Sequence, residues 1–150
     1  MPASASLADK RGDFNVLLLQ EWLSQSDVKA LISDKLVTQQ ADREPYFLFA
    51  HCTEKTNKPT AEKEWQNVFS DFGLQLETVA TGCCGMAGSY GHDAKNLIAS
   101  VGIYAQSWQG ALAERNTDRC LATGYSCRSQ AKRVDEVQLA HPLMALLQRL

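Results

Sequence analysis

The sequence predicts an α/β domain, three-layered and Rossmann-like, with a short, mostly parallel sheet of about four strands and helices on both faces. Three observations carry this expectation. Short apolar runs at 46–50, 74–80 and 120–123 alternate with segments of helical periodicity, the pattern of a parallel sheet whose crossovers are helices. Glycine-rich or polar turns punctuate the strand ends. The 150 residues, 45% hydrophobic and 21% charged, suffice for one domain with its own core.

The elements follow in order. Asp13 to Ser24 reads as a helix, with Asp13 as N-cap and Val16, Leu19 and Leu23 on one stripe. Val28, Leu31 and Ile32 continue a helical pattern as a second short helix, and Thr38 to Glu44 is a polar connection. Pro45 opens the apolar run Tyr46 to Ala50, which suits a buried strand. Thr53 to Pro59 reads as a polar loop. Thr60 then caps a helix with Trp65, Val68, Phe69 and Phe72 on one face, Glu62 and Glu64 in its first turn, and Gly73 at its end. Leu74 to Ala80 is the next strand, followed by a glycine-rich turn, Thr81 to Gly91. Asp93 to Glu114 reads as the longest helix, with Leu97, Val101, Tyr104, Trp108 and Leu112 on one face. Cys120 to Thr123 is a third strand, and Gly124-Tyr125-Ser126 turns into a basic helix start, Cys127 to Arg133. Val137, Leu139 and Ala140 form a fourth short strand. His141 caps a last helix with Pro142 at its first position.

Composition narrows the function classes. A formal charge of −2 argues against a nucleic-acid module, which carries a basic excess. No apolar run approaches the roughly 20 residues that a membrane span needs. Met1 to Gly12 has no basic start followed by an apolar stretch, so it reads as a tail, linker or cloning scar rather than a secretory signal. Without such a signal the expected compartment is cytoplasmic, where thiols stay reduced and cysteines serve metal or redox chemistry more often than disulfides.

Where the five cysteines fall is the main functional signal. Cys52 follows the first strand, Cys83 and Cys84 follow the second, and Cys127 follows the third. In a parallel sheet all three strand ends point the same way, and ligands bind outside them. Four thiols distant in sequence therefore converge on one sheet edge. Cys120 begins a strand instead and reads as structural. Adjacent cysteines rarely bond to each other, because the geometry is strained. As thiolates they can bind one metal or two irons of one cluster. Gly82, Gly85 and Gly88 let the backbone turn sharply towards a bulky ligand and offer N–H groups to it. The bland alternative is a plain strand-to-helix loop with buried free cysteines.

The remaining polar residues leave more than one reading open. His51, beside Cys52, is a candidate ligand or hydrogen-bond donor; His92 is a weaker one, and His141 reads as a helix cap. Arg128, Lys132 and Arg133 are either a solvated basic face or cations that stabilise thiolates. The glycine turn lacks Gly-Lys-Ser/Thr and the Gly-x-Gly-x-x-Gly spacing, so nucleotide binding is weakly supported. Thiol redox chemistry at Cys83-Cys84 or Cys127 is a separate reading.

Three motifs, HCTEK at 51–55, TGCCGMAGSYGHD at 81–93 and ATGYSCRSQ at 122–130, resemble the cysteine-rich CCG domain family. That family includes subunits of heterodisulfide reductase and anaerobic glycerol-3-phosphate dehydrogenase, and domains attached to FAD-linked lactate and glycolate oxidases. The likeness is greatest to the C-terminal part of bacterial FAD- and iron–sulfur-containing dehydrogenases resembling those of D-lactate and D-2-hydroxyglutarate. It implies a cysteine-rich α/β domain at 45–150, a helical junction at 13–44 and a tail or linker at 1–12. It further implies an electron-transfer domain of a larger FAD-linked 2-hydroxy-acid dehydrogenase. In that reading the cluster, a [4Fe–4S] centre, is held by Cys52, Cys83, Cys84 and Cys127, with His51 as a possible fifth ligand. FAD belongs to the rest of the parent enzyme, whose flavin and ferredoxin-like domains are the implied partners; any membrane association runs through them. The alternative is a structural zinc or protein-interaction module. Two departures from the family pattern matter. Gly124 stands where the first thiolate of Cys-x-x-Cys is expected, and His51-Cys52 replaces Cys-His.

Overall fold

The computed structural model describes residues 15–36 and 43–150. Three parallel strands, β1 (Tyr46–Phe49), β2 (Leu76–Thr78) and β3 (Cys120–Ala122), form a sheet in the order β2-β1-β3. Tyr46 pairs with Leu76 on one side of β1, and Phe47 pairs with Cys120 on the other. Eight α-helices stand among the described residues: α1 (Leu19–Leu23), α2 (Ser26–Ser33), α3 (Cys52–Asn57), α4 (Ala61–Asp71), α5 (Leu97–Ala105), α6 (Trp108–Ala113), α7 (Tyr125–Asp135) and α8 (Pro142–Leu147).

Alternation along β1 divides the core in two, because successive strand side chains face opposite ways. Tyr46 and Leu48 pack with Trp65, Val68 and Phe69 of α4, Leu23 of α1, Val28 of α2 and Leu146 of α8. Phe47 and Phe49 face the other side, towards Trp108 and Leu112 of α6, Tyr104 of α5 and Ala131 of α7. Helices thus cover both faces, as the sequence predicts. The fold is α/β and the sheet parallel, but among the described residues it has three strands rather than four. Around Leu139 the chain makes only a single bridge, Ala140 to Leu121, with Ala122 N–H donating to Ala140 O at 2.9 Å. Pro142 follows after His141, has no N–H to continue a ladder, and starts α8 instead.

Three other expectations need correction. The predicted polar loop at 53–59 is largely helix α3. No residue of α3 is buried, so it carries no apolar stripe for periodicity to detect. The predicted long helix 93–114 starts as a 3-10 turn, Ala94–Asn96, and then breaks into α5 and α6 at Gln106-Ser107. Of its apolar stripe, Tyr104, Trp108 and Leu112 are buried, whereas Leu97 is 42% exposed and the fully buried residue in that first half is Ser100. The break has a purpose in the packing. It lets the Ser107 hydroxyl accept from Gly82 N–H at 3.1 Å while Trp108 Nε1–H donates to Gly82 O at 3.0 Å, gripping the start of the glycine turn. The first helix is confined to Leu19–Leu23, and Leu18 rather than Asp13 is its N-cap; Asp13 lies outside the described residues. So do 1–12 and most of the connection at 38–44.

The other helix boundaries follow their local signals. α4 runs from Ala61, although Thr60 bonds the Glu64 carboxylate at 2.8 Å and not the backbone. Gly73 (φ +72°) adopts the left-handed conformation that ends this helix. His141 caps α8, its Nδ1 accepting from Leu143 N–H at 3.1 Å.

Candidate functional site

Each strand delivers its cysteine at the same, carboxyl edge of the sheet. β1 runs through Ala50 and His51 into α3, whose first residue is Cys52. β2 leads into the turn that carries Cys83 and Cys84. β3 leads through Thr123 and Gly124 into α7, whose first turn holds Cys127. Cys120 begins β3 at the far edge and is 1% exposed. Burial pushes its thiol up to about 11, and its Sγ–H donates to Asn116 O at 3.4 Å. All five cysteines are free.

The four edge thiols form a continuous run. Cys52 neighbours Cys83, Cys83 adjoins Cys84 in the chain, and Cys84 neighbours Cys127, close enough for their titrations to influence one another. Their protons are shared unequally. The Cys127 thiol donates to Cys84, and this, with the N–H groups of Met86 and of Cys84 itself, pulls Cys84 down to about 6 against the cost of burial. Cys127 moves the opposite way, raised first by that same bond and then by burial and the Cys84 charge. Burial also raises Cys83, opposed by Gly85 N–H, which donates to its sulfur at 3.3 Å. The site therefore favours a thiolate at Cys84 over one at Cys83 or Cys127.

The backbone around these sulfurs explains two of the glycines. Gly85 has φ +86°, and a Cβ there would lie 2.1 Å from Ser100 O. Only glycine fits this turn. At Gly124 the constraint is spatial. A Cβ would stand 2.3 Å from His51 Cδ2 and 2.8 Å from Cys127 Sγ. The His51 ring thus occupies the space a side chain at position 124 would need. Its Nδ1 accepts from Thr53 N–H at 3.2 Å as the cap of α3, and its Nε2 lies 3.4 Å from Ser126 Oγ. With Nδ1 engaged, only Nε2 remains to reach a ligand. Gly82 is held through its backbone by Ser107 and Trp108, and Gly88 (φ +68°) turns in open space. His92 is exposed in a 3-10 turn, Tyr90–His92.

Arg128 and Arg133 belong to the scaffold. Arg128 donates to the carbonyls of Ala122 (2.7 Å) and Thr123 (3.2 Å) at the end of β3. Arg133 donates to Gly91 O, to Ser100 Oγ and to Gln130 Oε1. Lys132 is exposed. Sequence reasoning missed Ser100 and Gln130, the two fully buried polar residues behind the turn. The signals were a lone serine inside the apolar run LIASVGIYA and a glutamine three residues after Cys127, on the same helix face.

In kind, this donor set fits a thiolate-ligated metal or iron–sulfur group: four sulfurs, one with a lowered pKa, and backbone N–H groups aimed at two of them. Among the described residues no group of three or more His, Cys, Asp and Glu side chains is arranged to hold a metal ion as they stand.

Comparison with known proteins places the chain beside one group of enzymes. It is 51% identical over 142 residues to D-2-hydroxyglutarate dehydrogenase of Pantoea ananatis. It is 50% identical over 143 residues to the Escherichia coli enzyme of the same name, and 48% over 145 residues to that of Haemophilus influenzae. Each match takes in 95% of this chain but only 13–14% of the relative. The chain thus corresponds to a small part of a much larger dehydrogenase. No family model matches it, so the likeness to CCG domains rests on the three motifs. No solved structure matches either. No helix among the described residues is long and apolar enough to cross a membrane.

Proposed function

We propose that this chain is the iron–sulfur, electron-transfer domain of a FAD-linked 2-hydroxy-acid dehydrogenase, with Cys52, Cys83, Cys84 and Cys127 holding the cluster. The observation that carries the reading is the run of four thiols that three parallel strands bring to one sheet edge. The relatives support it: as D-2-hydroxyglutarate dehydrogenases they oxidise a 2-hydroxy acid and must dispose of two electrons. Bound here, a cluster supplies one-electron transfer between the flavin of the parent enzyme and a further acceptor. The chain's own residues prepare for it. Cys84, lowered to about 6, is ionised at neutral pH, the state in which sulfur ligates. Gly85 and Met86 N–H groups stabilise negative sulfur. Gly85 lets the turn lie against α5, and Gly124 admits the His51 ring beside Cys127. The partners in this reading are flavin and ferredoxin-like domains of the same enzyme, in the cytoplasm.

Anaerobic reconstitution with iron and sulfide tests the proposal. We expect stoichiometric iron and sulfide with broad visible charge-transfer absorption, and loss of both in Cys84→Ser. No uptake by the unsubstituted protein, with Cys84→Ser behaving identically, overturns it. Stoichiometric zinc without iron after anaerobic purification would replace the cluster with a structural zinc site on the same thiolates.

A second reading, thiol–disulfide exchange at Cys84 and Cys127, is favoured by the lowered pKa of Cys84 beside the Cys127 thiol. A bell or sigmoid near pH 6 in the alkylation rate of Cys84 supports it. A midpoint near the reference ~8.5 for every thiol argues against it.

A further inference from the structure

Behind the thiolate turn lies a buried polar cluster whose hydrogen-bond directions are fully determined. Ser100 of α5 and Gln130 of α7 are both 0% exposed. The Gln130 Nε2 group donates to Ser100 O at 3.2 Å and to Ser100 Oγ at 3.0 Å. Arg133, which can only donate, reaches Gln130 Oε1 and, at 3.1 Å, Ser100 Oγ. Arg133 therefore fixes the Gln130 amide with its oxygen outward and its NH2 towards Ser100. A hydroxyl has one proton and two lone pairs. With both lone pairs of Ser100 Oγ taken by Gln130 and Arg133, its proton has one destination, Gly85 O, at 2.8 Å. On the other side of the same residue, Gly85 N–H donates to Cys83 Sγ.

The cluster joins the two elements that carry three of the four edge thiols. Gln130 sits one helical turn after Cys127, on the same face of α7. Ser100 holds the carbonyl of the residue that follows Cys84. We propose that Gln130 is a positioning residue for the Cys83-Cys84 turn, acting through Ser100, with Arg133 setting the orientation of its amide. The role rests on the thiolate-site reading above but not on which metal or cluster is bound. It does not belong to any ligand. It holds the Cys84 and Cys127 sulfurs at a fixed separation before anything binds and keeps the Gly85 N–H aimed at Cys83.

The test uses the reduced, metal-free chain and iodoacetamide, with each cysteine followed by peptide mass spectrometry. Cys84 and Cys120 are 3% and 1% exposed, so each reacts only when its surroundings open. Cys120, at the opposite edge of the sheet, reports general loosening. Gln130→Glu keeps the shape and the Arg133 contact but cannot donate to Ser100; Ser100→Ala removes only the relay hydroxyl. Each should raise the ratio of Cys84 to Cys120 alkylation roughly tenfold, the effect of leaving one buried hydrogen-bonding group unpaired. Arg133→Lys, which still donates to the amide oxygen, should stay within about twofold of the unsubstituted chain. Proportional acceleration of both cysteines, or an unchanged Cys84 in both variants, overturns the proposal. The outcome is separable from the cluster reading. Failure of iron uptake leaves the alkylation ratio standing, and an unchanged ratio leaves iron uptake standing.

Discussion

The two halves of the thiol site are built differently. On the α7 side, Cys84 and Cys127 are buried among Tyr104, Trp108 and Met86, and a cluster of side chains from α5 and α7 anchors the turn from behind. On the α3 side, Cys52 is half-exposed on a helix with no buried residue, held by its cap and by Glu54. That carboxylate accepts from Trp65 Nε1–H at 3.3 Å and from the Thr123 hydroxyl, which itself accepts from His51 N–H at 2.9 Å. One half is a packed wall; the other is a polar hinge with little apolar burial. Local stability follows buried apolar contact, so the α3 side is the half able to move when a group enters or leaves.

The largest effect that can break this contrast is at Gly85. Alanine there meets a positive φ and a backbone oxygen at 2.1 Å, which no side-chain movement relieves. We expect Gly85→Ala to destabilise the chain by about 3 kcal/mol or more in urea unfolding, and Gly82→Ala by less than about 0.5. At Gly82 the nearest atom to an added Cβ is 3.6 Å away, an ordinary contact. Equal losses for the two would mean that the turn is not anchored where the packing shows it.

Much of this contrast is legible in the residues, and what is not has physical causes. The strand-end cysteines and the parallel sheet follow from apolar runs at 46–50, 74–80 and 120–123, whose burial is strong enough to override local detail. The α3 helix is invisible because CTEKTN has no apolar periodicity; a histidine cap and hydrogen bonds to Thr123 make it. The break at Ser107 is invisible because an unbroken 93–114 stripe looks the same on paper, and only the distant Gly82 requires the bend. The fourth strand is over-predicted because Val137 and Leu139 alternate as strand residues do, but one residue after Ala140 the chain reaches Pro142 and turns into α8.

The second effect is smaller and lies on the hinge side. Gly124→Ala pushes a Cβ into the His51 ring, a half-exposed side chain that can rotate away. The expected cost is about 1–2 kcal/mol, and most of it should vanish in the His51→Ala background, which itself loses a helix cap at about 1 kcal/mol. A double-mutant cycle measures this. Additive losses would place the conflict at Cys127 Sγ instead, on the rigid wall.

The smallest effect is set by pH and separates the halves through His141. Burial holds its pKa below the ordinary value, helped by the Arg128 charge and opposed by Glu54. The ring stands edge-on to Trp65 at 5.7 Å, the same indole that bonds Glu54 of α3. In the native state His141 binds fewer protons than in the unfolded chain. Its contribution to stability is therefore present above the unfolded value, ~6.5, and is lost as pH falls through it towards the native value. Protonation of Nδ1 also ends its acceptance from Leu143 N–H, removing the cap of α8. Unfolding midpoints at pH 7.5 and 5.5 should fall more for the unsubstituted chain than for His141→Asn, which keeps a capping oxygen without a titrating ring. Amide exchange in α3 should quicken before that in α7 as the pH drops, because α3 bonds Trp65 directly through Glu54, whereas α7 meets His141 only through the Arg128 charge. Simultaneous quickening in both helices would show one cooperative unit, and the division into wall and hinge would then be a difference of composition and not of stability.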